Sequence, residues 1–278
     1  MPAAKVSNEQ VRSFWEKNPV AAAAVAAEPG SAAFFTQFDA LREADDCEPW
    51  DFSNRIHGYS ASAGKRVLDI GCGNGYVLAQ YARHGAETHG IDLTETALDL
   101  SRRRFQLARL QGRFQRTDGD TIPYADDFFD IVCAMGVLHH IEDPRPMLAE
   151  MRRVLRPGGE IILMMYHRHS WKHLVVHPLK RLLDPRYRGK TLAQVLNMND
   201  GPDCPRALVY SKRELRALLS RFENIRFDCN QLSWQQLLLV PGLGAALASY
   251  LPKTSESFFA RTLGWNLYAR ARKPGGAA

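Results

Sequence analysis

Three glycines at alternate positions, Gly71, Gly73 and Gly75, follow the short apolar run Arg66-Val67-Leu68-Asp69-Ile70 and precede Tyr76-Val77-Leu78-Ala79-Gln80-Tyr81. A strand that feeds a glycine turn and then a helix brings backbone N–H groups close to a bound ligand. Glycine serves there because a Cβ would block the approach or forbid the backbone angles. A second run, Glu87-Thr88-His89-Gly90-Ile91-Asp92, ends in an acid. An acid about 20 residues past the first glycine is placed to accept hydrogen bonds from ribose hydroxyls. The ligand expected is therefore a nucleoside. Tyr76 stands where a dinucleotide fingerprint wants its last Gly or Ala, so the pattern departs from an NAD site.

Three further blocks extend the pattern. Arg116-Thr117-Asp118-Gly119-Asp120-Thr121-Ile122-Pro123-Tyr124 reads as a strand end and a turn. Phe128 to Met135 reads as a buried strand, followed by Gly136-Val137-Leu138-His139-His140. Leu155-Arg156-Pro157-Gly158-Gly159-Glu160 reads as a helix end leading into the strand Ile161 to Met165. In this order and spacing, the blocks over residues 64 to 168 resemble the class I S-adenosylmethionine-dependent methyltransferases, and most of all the branch with Leu-His-His after the fourth strand. Phe14-Trp15-Glu16-Lys17-Asn18-Pro19, Asp200-Gly201-Pro202 and Val209-Tyr210-Ser211 are similar to a subgroup of that branch.

The resemblance implies roles. Asp69, Gly71, Cys72, Gly73 and Gly75 would form the wall for the methionine end of S-adenosylmethionine, and the demethylated product S-adenosylhomocysteine would occupy the same place. Asp92 with Leu93 would take the ribose hydroxyls, Asp118 with the Gly119 backbone the adenine edge, and Ala134 or Met135 would touch the cofactor from the fourth strand. His140 is the first candidate for a catalytic base and His139 the second. A neutral imidazole is a suitable base near pH 7, with an ordinary pKa of about 6.5. Trp15, Tyr166, His167 and Tyr210 are candidates for a lid over the acceptor.

The elements that must position these groups follow from periodicity. Residues 1–63 are helical and loop-like, with Ser7 starting a helix that Asn18-Pro19 ends. From Lys65 to Met165 apolar strands alternate with helices, which is the mark of parallel βαβ units. Residues 212–222 read as a helix with Leu215, Leu218 and Leu219 on one face. Ile225-Arg226-Phe227 and Gly264 to Ala271 supply the last strands. The expected architecture is a Rossmann-like α/β domain over residues 64–278, with a seven-stranded, mostly parallel sheet, helices on both faces and an antiparallel end. A helical cap (1–63) and two insertions, about 169–207 and 231–262, would build the acceptor lid, and a disordered tail would begin at Lys273.

The 278 residues are 45% hydrophobic and 24% charged, ordinary for a globular protein. Cys47, Cys72, Cys133, Cys204 and Cys229 lack CxxC pairing, which predicts reduced thiols and a cytoplasmic setting. Neither a secretory signal nor a transmembrane segment is expected. Residues 166–190 hold seven Lys and Arg against Asp184 alone, an excess equal to the whole chain's +6. So local a charge suggests a surface facing something anionic, or a solvated helix face beside a lid. His167, His169, His173 and His177 cluster nearby. The last three would stack on one face of a helix, but no Asp or Glu lies nearby before Asp184 to support a metal, and none is expected. The apolar stretch Trp234 to Leu251 would pack on the core or wall an apolar acceptor.

The expected activity is O-, N- or C-methylation of a small molecule, anionic or apolar, in secondary or quinone-type metabolism. The alternatives are a nucleic-acid methyltransferase, disfavoured because Met135-Gly136-Val137-Leu138 stands where base-amine enzymes carry Asn/Asp-Pro-Pro-Tyr, and a cofactor-binding partner without methyl transfer. Calorimetry should show S-adenosylmethionine or S-adenosylhomocysteine binding and NADH not binding; the reverse ends the resemblance.

Overall fold

The computed structural model describes residues 6–20, 22, 24–234 and 257–275. Ser7 and Gln10 form a capping box that starts helix α1 (Asn8–Lys17), and Asn18 closes it with its N–H on the Phe14 carbonyl. Helices α2 (Ala32–Arg42) and α3 (Trp50–His57) follow, the latter ending at Gly58 in the left-handed conformation. Strand β1 (Arg66–Ile70) then opens the α/β part, with α4 (Tyr76–Arg83), β2 (Glu87–Asp92), α5 (Glu95–Ala108), β3 (Arg113–Arg116) and β4 (Phe129–Met135) behind it. Next come α6 (Arg145–Val154) and β5 (Leu155–His167). The segment after β5 carries α7 (His177–Leu183) and α8 (Leu192–Asn197). Strand β6 (Val209–Tyr210), α9 (Lys212–Leu218), β7 (Glu223–Asn230), α10 (Phe258–Leu263) and β8 (Asn266–Arg272) complete the described chain.

The sheet order is β3-β2-β1-β4-β5-β8-β7, parallel except that β8 runs antiparallel to β5 and β7. That is the expected seven-stranded frame. The two-residue β6, which pairs with β5, adds an eighth strand.

The period of two along the strands sorts side chains onto two cores. Leu68 and Ile70 of β1 and Ile161, Leu163 and Met165 of β5 face α6 residues such as Leu148 and Met151. Val67, Ile131, Cys133, Ile162 and Met164 face the other way, against Phe34, Phe38, Tyr81 and Leu98. Each fully buried aliphatic side chain contributes about 1.5–3 kcal/mol. The N-terminal helices thus finish one face of the sheet.

Several boundaries differ from expectation. Helix α6 ends at Val154, and Leu155 already pairs with Phe129 in the sheet. The next pair is Ile131 with Glu160, so Arg156-Pro157-Gly158-Gly159 bulges out between them; Pro157 has no N–H for a ladder and Gly158 holds φ 75°. Strand β7 is longer than Ile225-Arg226-Phe227, and α9 stops at Leu218. The histidines after β5 do not stack along one helix, because a π-helix, Lys172–Val176, precedes α7. A π-turn is wider than an α-turn, so a four-residue spacing no longer aligns the rings. His169 lies ahead of the helix against His167, and His173 meets His177 edge-on.

Lys273, expected to begin a disordered tail, exchanges backbone hydrogen bonds with Gly158 and Gly159. Residues 276–278 lie outside the described residues, as do 235–251 of the apolar stretch Trp234 to Leu251 and most of the second insertion. Among the described residues, no helix is long and apolar enough to cross a membrane.

Burial pushes the pKa of His57 and of His177 down to about 3, and that of His167 down to about 4. Each folded value lies below the unfolded 6.5, so the stability these neutral rings contribute is full above pH 6.5 and is lost as pH falls toward 3–4. The slope is about 1.4 kcal/mol per pH unit for each ring. Urea unfolding at pH 7 and pH 5 should show that loss, and His57→Gln should remove that ring's share of it; a stability independent of pH in this window would contradict the assignment.

Candidate active site

A cavity of about 310 Å³ opens at the carboxyl ends of β1, β2 and β4. In open α/β sheets this is where ligands bind. Its wall includes Gly71, Gly73, Asp92, Leu93, Gly119, Met135, His140 and Trp15 from among the residues expected at the site. Asn8, Thr94, Thr117, Asp120, Val137, Asp143 and Met147 join them, none of which the sequence pattern singled out. Thr94 and Asp120 sit within two residues of predicted positions, so proximity to the motifs was the available signal.

The glycine turn is wired differently from the expected amide cradle. Gly71 N–H donates to the Ile91 carbonyl at 2.7 Å, and Cys72 N–H to the same oxygen at 3.2 Å. Gly73 N–H donates to Asp92 Oδ2 at 3.1 Å, and Gly75 N–H to the Cys72 carbonyl. Those donors are used inside the protein, while among the described residues no donor reaches the Gly71 carbonyl. Gly71 holds φ 65°, and a Cβ there would come within 2.4 Å of Val137 Cγ2. Gly75 caps α4 and faces Ser101, away from the cavity.

Asp92 ends β2 with its Oδ1 accepting from the Thr94 N–H at 3.0 Å and hydroxyl at 2.9 Å. A carboxylate offers about four acceptor positions. Three are filled, so about one remains for a ligand. Burial raises the Asp92 pKa, partly offset by these hydrogen bonds. Asp69 is 2% exposed, does not line the cavity, and its Oδ1 has no partner among the described residues. Burial holds its pKa well above the usual carboxylate range.

Asp118 turns away: its Oδ1 accepts from the backbone N–H groups of Asp120 and Thr121, an Asx-type turn, and the carboxylate is exposed. Gly119 and Asp120 form the wall there instead. Ala134 and Cys72 are buried in the core beside the site.

Helix α1 closes the cavity. Asn8 Nδ2 donates to Asp120 Oδ1 at 3.3 Å, and Glu16 Oε1 accepts from the Thr96 hydroxyl at 2.7 Å. These contacts bring the Trp15 ring edge-on to His140, centroids 5.2 Å apart.

The two histidines diverge. His140 sits in the 3-10 turn Leu138–His140, and its Nδ1 lies 2.5 Å from the Arg206 carbonyl. A carbonyl only accepts, so Nδ1 carries the proton and Nε2 keeps a lone pair. Burial lowers the His140 pKa. His139 is fully buried, stacks on Tyr166 at 3.9 Å, and lines no part of the cavity. Its pKa lies well below 6.5 through burial, so it packs as a neutral ring and has no route to an acceptor.

The lid candidates other than Trp15 also stand off the cavity. Tyr166 donates to Asp200, His167 Nδ1 bonds the Gly264 carbonyl at 3.1 Å, and Tyr210 is half-buried in β6. Donor atoms of His140, Asp200 and Cys204 lie within 4.8 Å of one another. Cys204 Sγ–H and His140 Nδ1–H both point at the Arg206 carbonyl, so two of the three are already engaged by one backbone oxygen.

Residues 68–163 match the family described as a methyltransferase domain. A ubiquinone biosynthesis O-methyltransferase of Coxiella burnetii is 31% identical over 111 residues, 40% of this chain and 47% of that one. Methyltransferase GfsG of Streptomyces halstedii is 36% identical over 131 residues, 46% of each chain. The chain thus spans about half the length of the curated relatives it matches. The crystal structure of the 4+2 cyclase SpnF superimposes with a TM-score of 0.58 at 18% identity, covering 99% of both chains, a likeness of fold.

Asp92→Ala removes both the Gly73 anchor and the open acceptor position. The affinity for S-adenosylhomocysteine should fall by about tenfold or more in calorimetry, the usual loss for a hydrogen bond to a charged group. Unchanged affinity would remove Asp92 from the site.

Proposed function

We propose, starting from residues 68–163 as a domain of the class I S-adenosylmethionine-dependent methyltransferases, that the chain methylates a small-molecule acceptor. The observation that carries this reading is the polarity of the cavity. Its described wall holds the carboxylates Asp92, Asp120 and Asp143, the last paired with Arg145 outside the lining, and no Lys or Arg lines it. With the turn's amides used internally and the Gly71 carbonyl open, the site suits a cationic nucleoside and not a pyrophosphate. When bound, the cofactor supplies an electrophilic methyl group on a sulfonium.

Gly71 and Gly73 would hold its amino-acid end, Asp92 with Leu93 its ribose, and Gly119 with Asp120 its base, while Asp69, expected at the amino-acid end, stays buried behind the turn. Apolar side chains of Val11, Trp15, Val137, Ile141 and Met147 fill the rest of the wall. That composition favours an apolar acceptor over an anionic one and disfavours nucleic acid. The O-methyltransferase relatives support a hydroxyl of a quinone-type or secondary metabolite as the accepting group. The helical cap 1–63 and the segment 169–207 would serve as the lid. The free cysteines suit a reducing, cytoplasmic setting.

His140 is the proposed base. Its Nδ1 proton is held by Arg206, leaving Nε2 to take the acceptor's proton, and its lowered pKa keeps it neutral at pH 7. A screen of hydroxylated aromatic acceptors by mass spectrometry should find a product heavier by one CH2. An isomerised product of unchanged mass would instead favour a cyclase-like role on the same fold. His140→Ala should lower kcat by roughly a hundredfold or more while leaving S-adenosylhomocysteine affinity within a few-fold. In the native enzyme kcat should decline on the acid side only below about pH 6.5, as His140 protonates.

A further inference from the structure

The loop 200–206 meets His140 twice, once through the Arg206 carbonyl and once through Asp200. The Asp200 carboxylate lies within 4.8 Å of a ring nitrogen of His140. Its Oδ1 accepts from the Tyr166 hydroxyl and from Asn199 Nδ2, whereas Oδ2 is buried without a hydrogen-bond partner among the described residues. A buried carboxylate oxygen left unpaired is costly unless a positive charge forms nearby.

Two cations stand in reach: Arg206 is hydrogen-bonded elsewhere, and Lys172, which interacts with the Asp200 charge, makes no hydrogen bond to it among the described residues. The Arg206 guanidinium bonds Glu142 and the Val6 carbonyl, and the Lys172 ammonium sits over the Trp265 ring at 4.7 Å. Around His140 itself stand His139 from its own turn, Trp15 from α1, and Cys204 and Arg206 from the loop, while Asp143 lines the same cavity. Tyr166 of β5 reaches Asp200 directly. Of the charged groups in contact with the ring, Asp200 is the one that favours its protonated form.

We propose that Asp200 is the counter-charge of His140, stabilising the imidazolium formed when His140 removes the acceptor's proton. This rests on the reading of His140 as the base. The acceptor's X–H proton passes to Nε2 as X bonds the methyl carbon and the methyl–sulfur bond breaks, leaving a neutral thioether. The imidazolium then returns its proton to water. The Asp200-Gly201-Pro202 run gains a purpose from this. Gly201 holds φ 144°, and a Cβ there would lie 3.1 Å from the Phe14 ring, so glycine lets the loop pass close beneath α1 while presenting Asp200 to His140.

The test is an NMR titration of the His140 ring in the cofactor-free protein, native and with Asp200→Asn or Asp200→Glu. A carboxylate at this range raises a histidine pKa by about one unit or more. Asp200→Asn should therefore lower the His140 pKa by that amount, and Asp200→Glu should restore most of it. The acid limb of kcat should move with it, and kcat should fall about tenfold with S-adenosylhomocysteine affinity unchanged. An equal His140 pKa in native protein and Asp200→Asn overturns the proposal, even where His140→Ala has confirmed the base. Full turnover in His140→Ala removes the base reading and this role with it, whatever the titration shows. Should Asp200→Asn not fold, Tyr166→Phe frees Asp200 of a donor and should raise the His140 pKa; no change would count against the pairing.

Discussion

The link between Gly73 N–H and Asp92 Oδ2 is the contact on which the site depends. It is made possible by the parallel pairing of β1 with β2, which sets Ile70 beside Ile91 and so delivers the glycine turn and the strand-end acid to one point. The Ile91 carbonyl takes the Gly71 and Cys72 amides on the same edge. The turn is therefore fastened to β2 by the protein's own hydrogen bonds.

That fastening also sets the sign of the site. A glycine turn with free amides attracts phosphate, as helix N-termini do. Here the amides face inward, three carboxylates line the wall, and the basic segment after β5 contributes no side chain to it. The described wall of the cavity carries acidic and no basic side chains, although the chain as a whole is basic.

Neighbouring histidines show how burial assigns roles. His139 and His140 are adjacent on a short turn, so their side chains leave it in different directions. One enters the stack with Tyr166 and has no hydrogen-bond partner among the described residues; the other finds the Arg206 carbonyl and the cavity. The difference lies in the loop 200–206, which approaches from far along the chain and hydrogen-bonds only the second ring.

The succession of strands and helices along the chain, the glycine turn, the acid closing β2 and the capped first helix were legible in the sequence, because each depends on residues within one or two turns of one another. Val67 and Leu68 alternate faces through the pleat alone, and Ser7 with Gln10 caps α1 from three residues away. Beyond that range the pattern went silent or misled. Asp118 looked like an adenine ligand but closes its own turn, Leu155 looked like a helix end but pairs in the sheet, and His169 looked like part of a helical stack but lies ahead of a π-turn. Direction of the turn's amides, selection between two histidines and the approach of Asp200 were decided by tertiary packing, since each depends on which distant backbone or side chain reaches a buried polar group first.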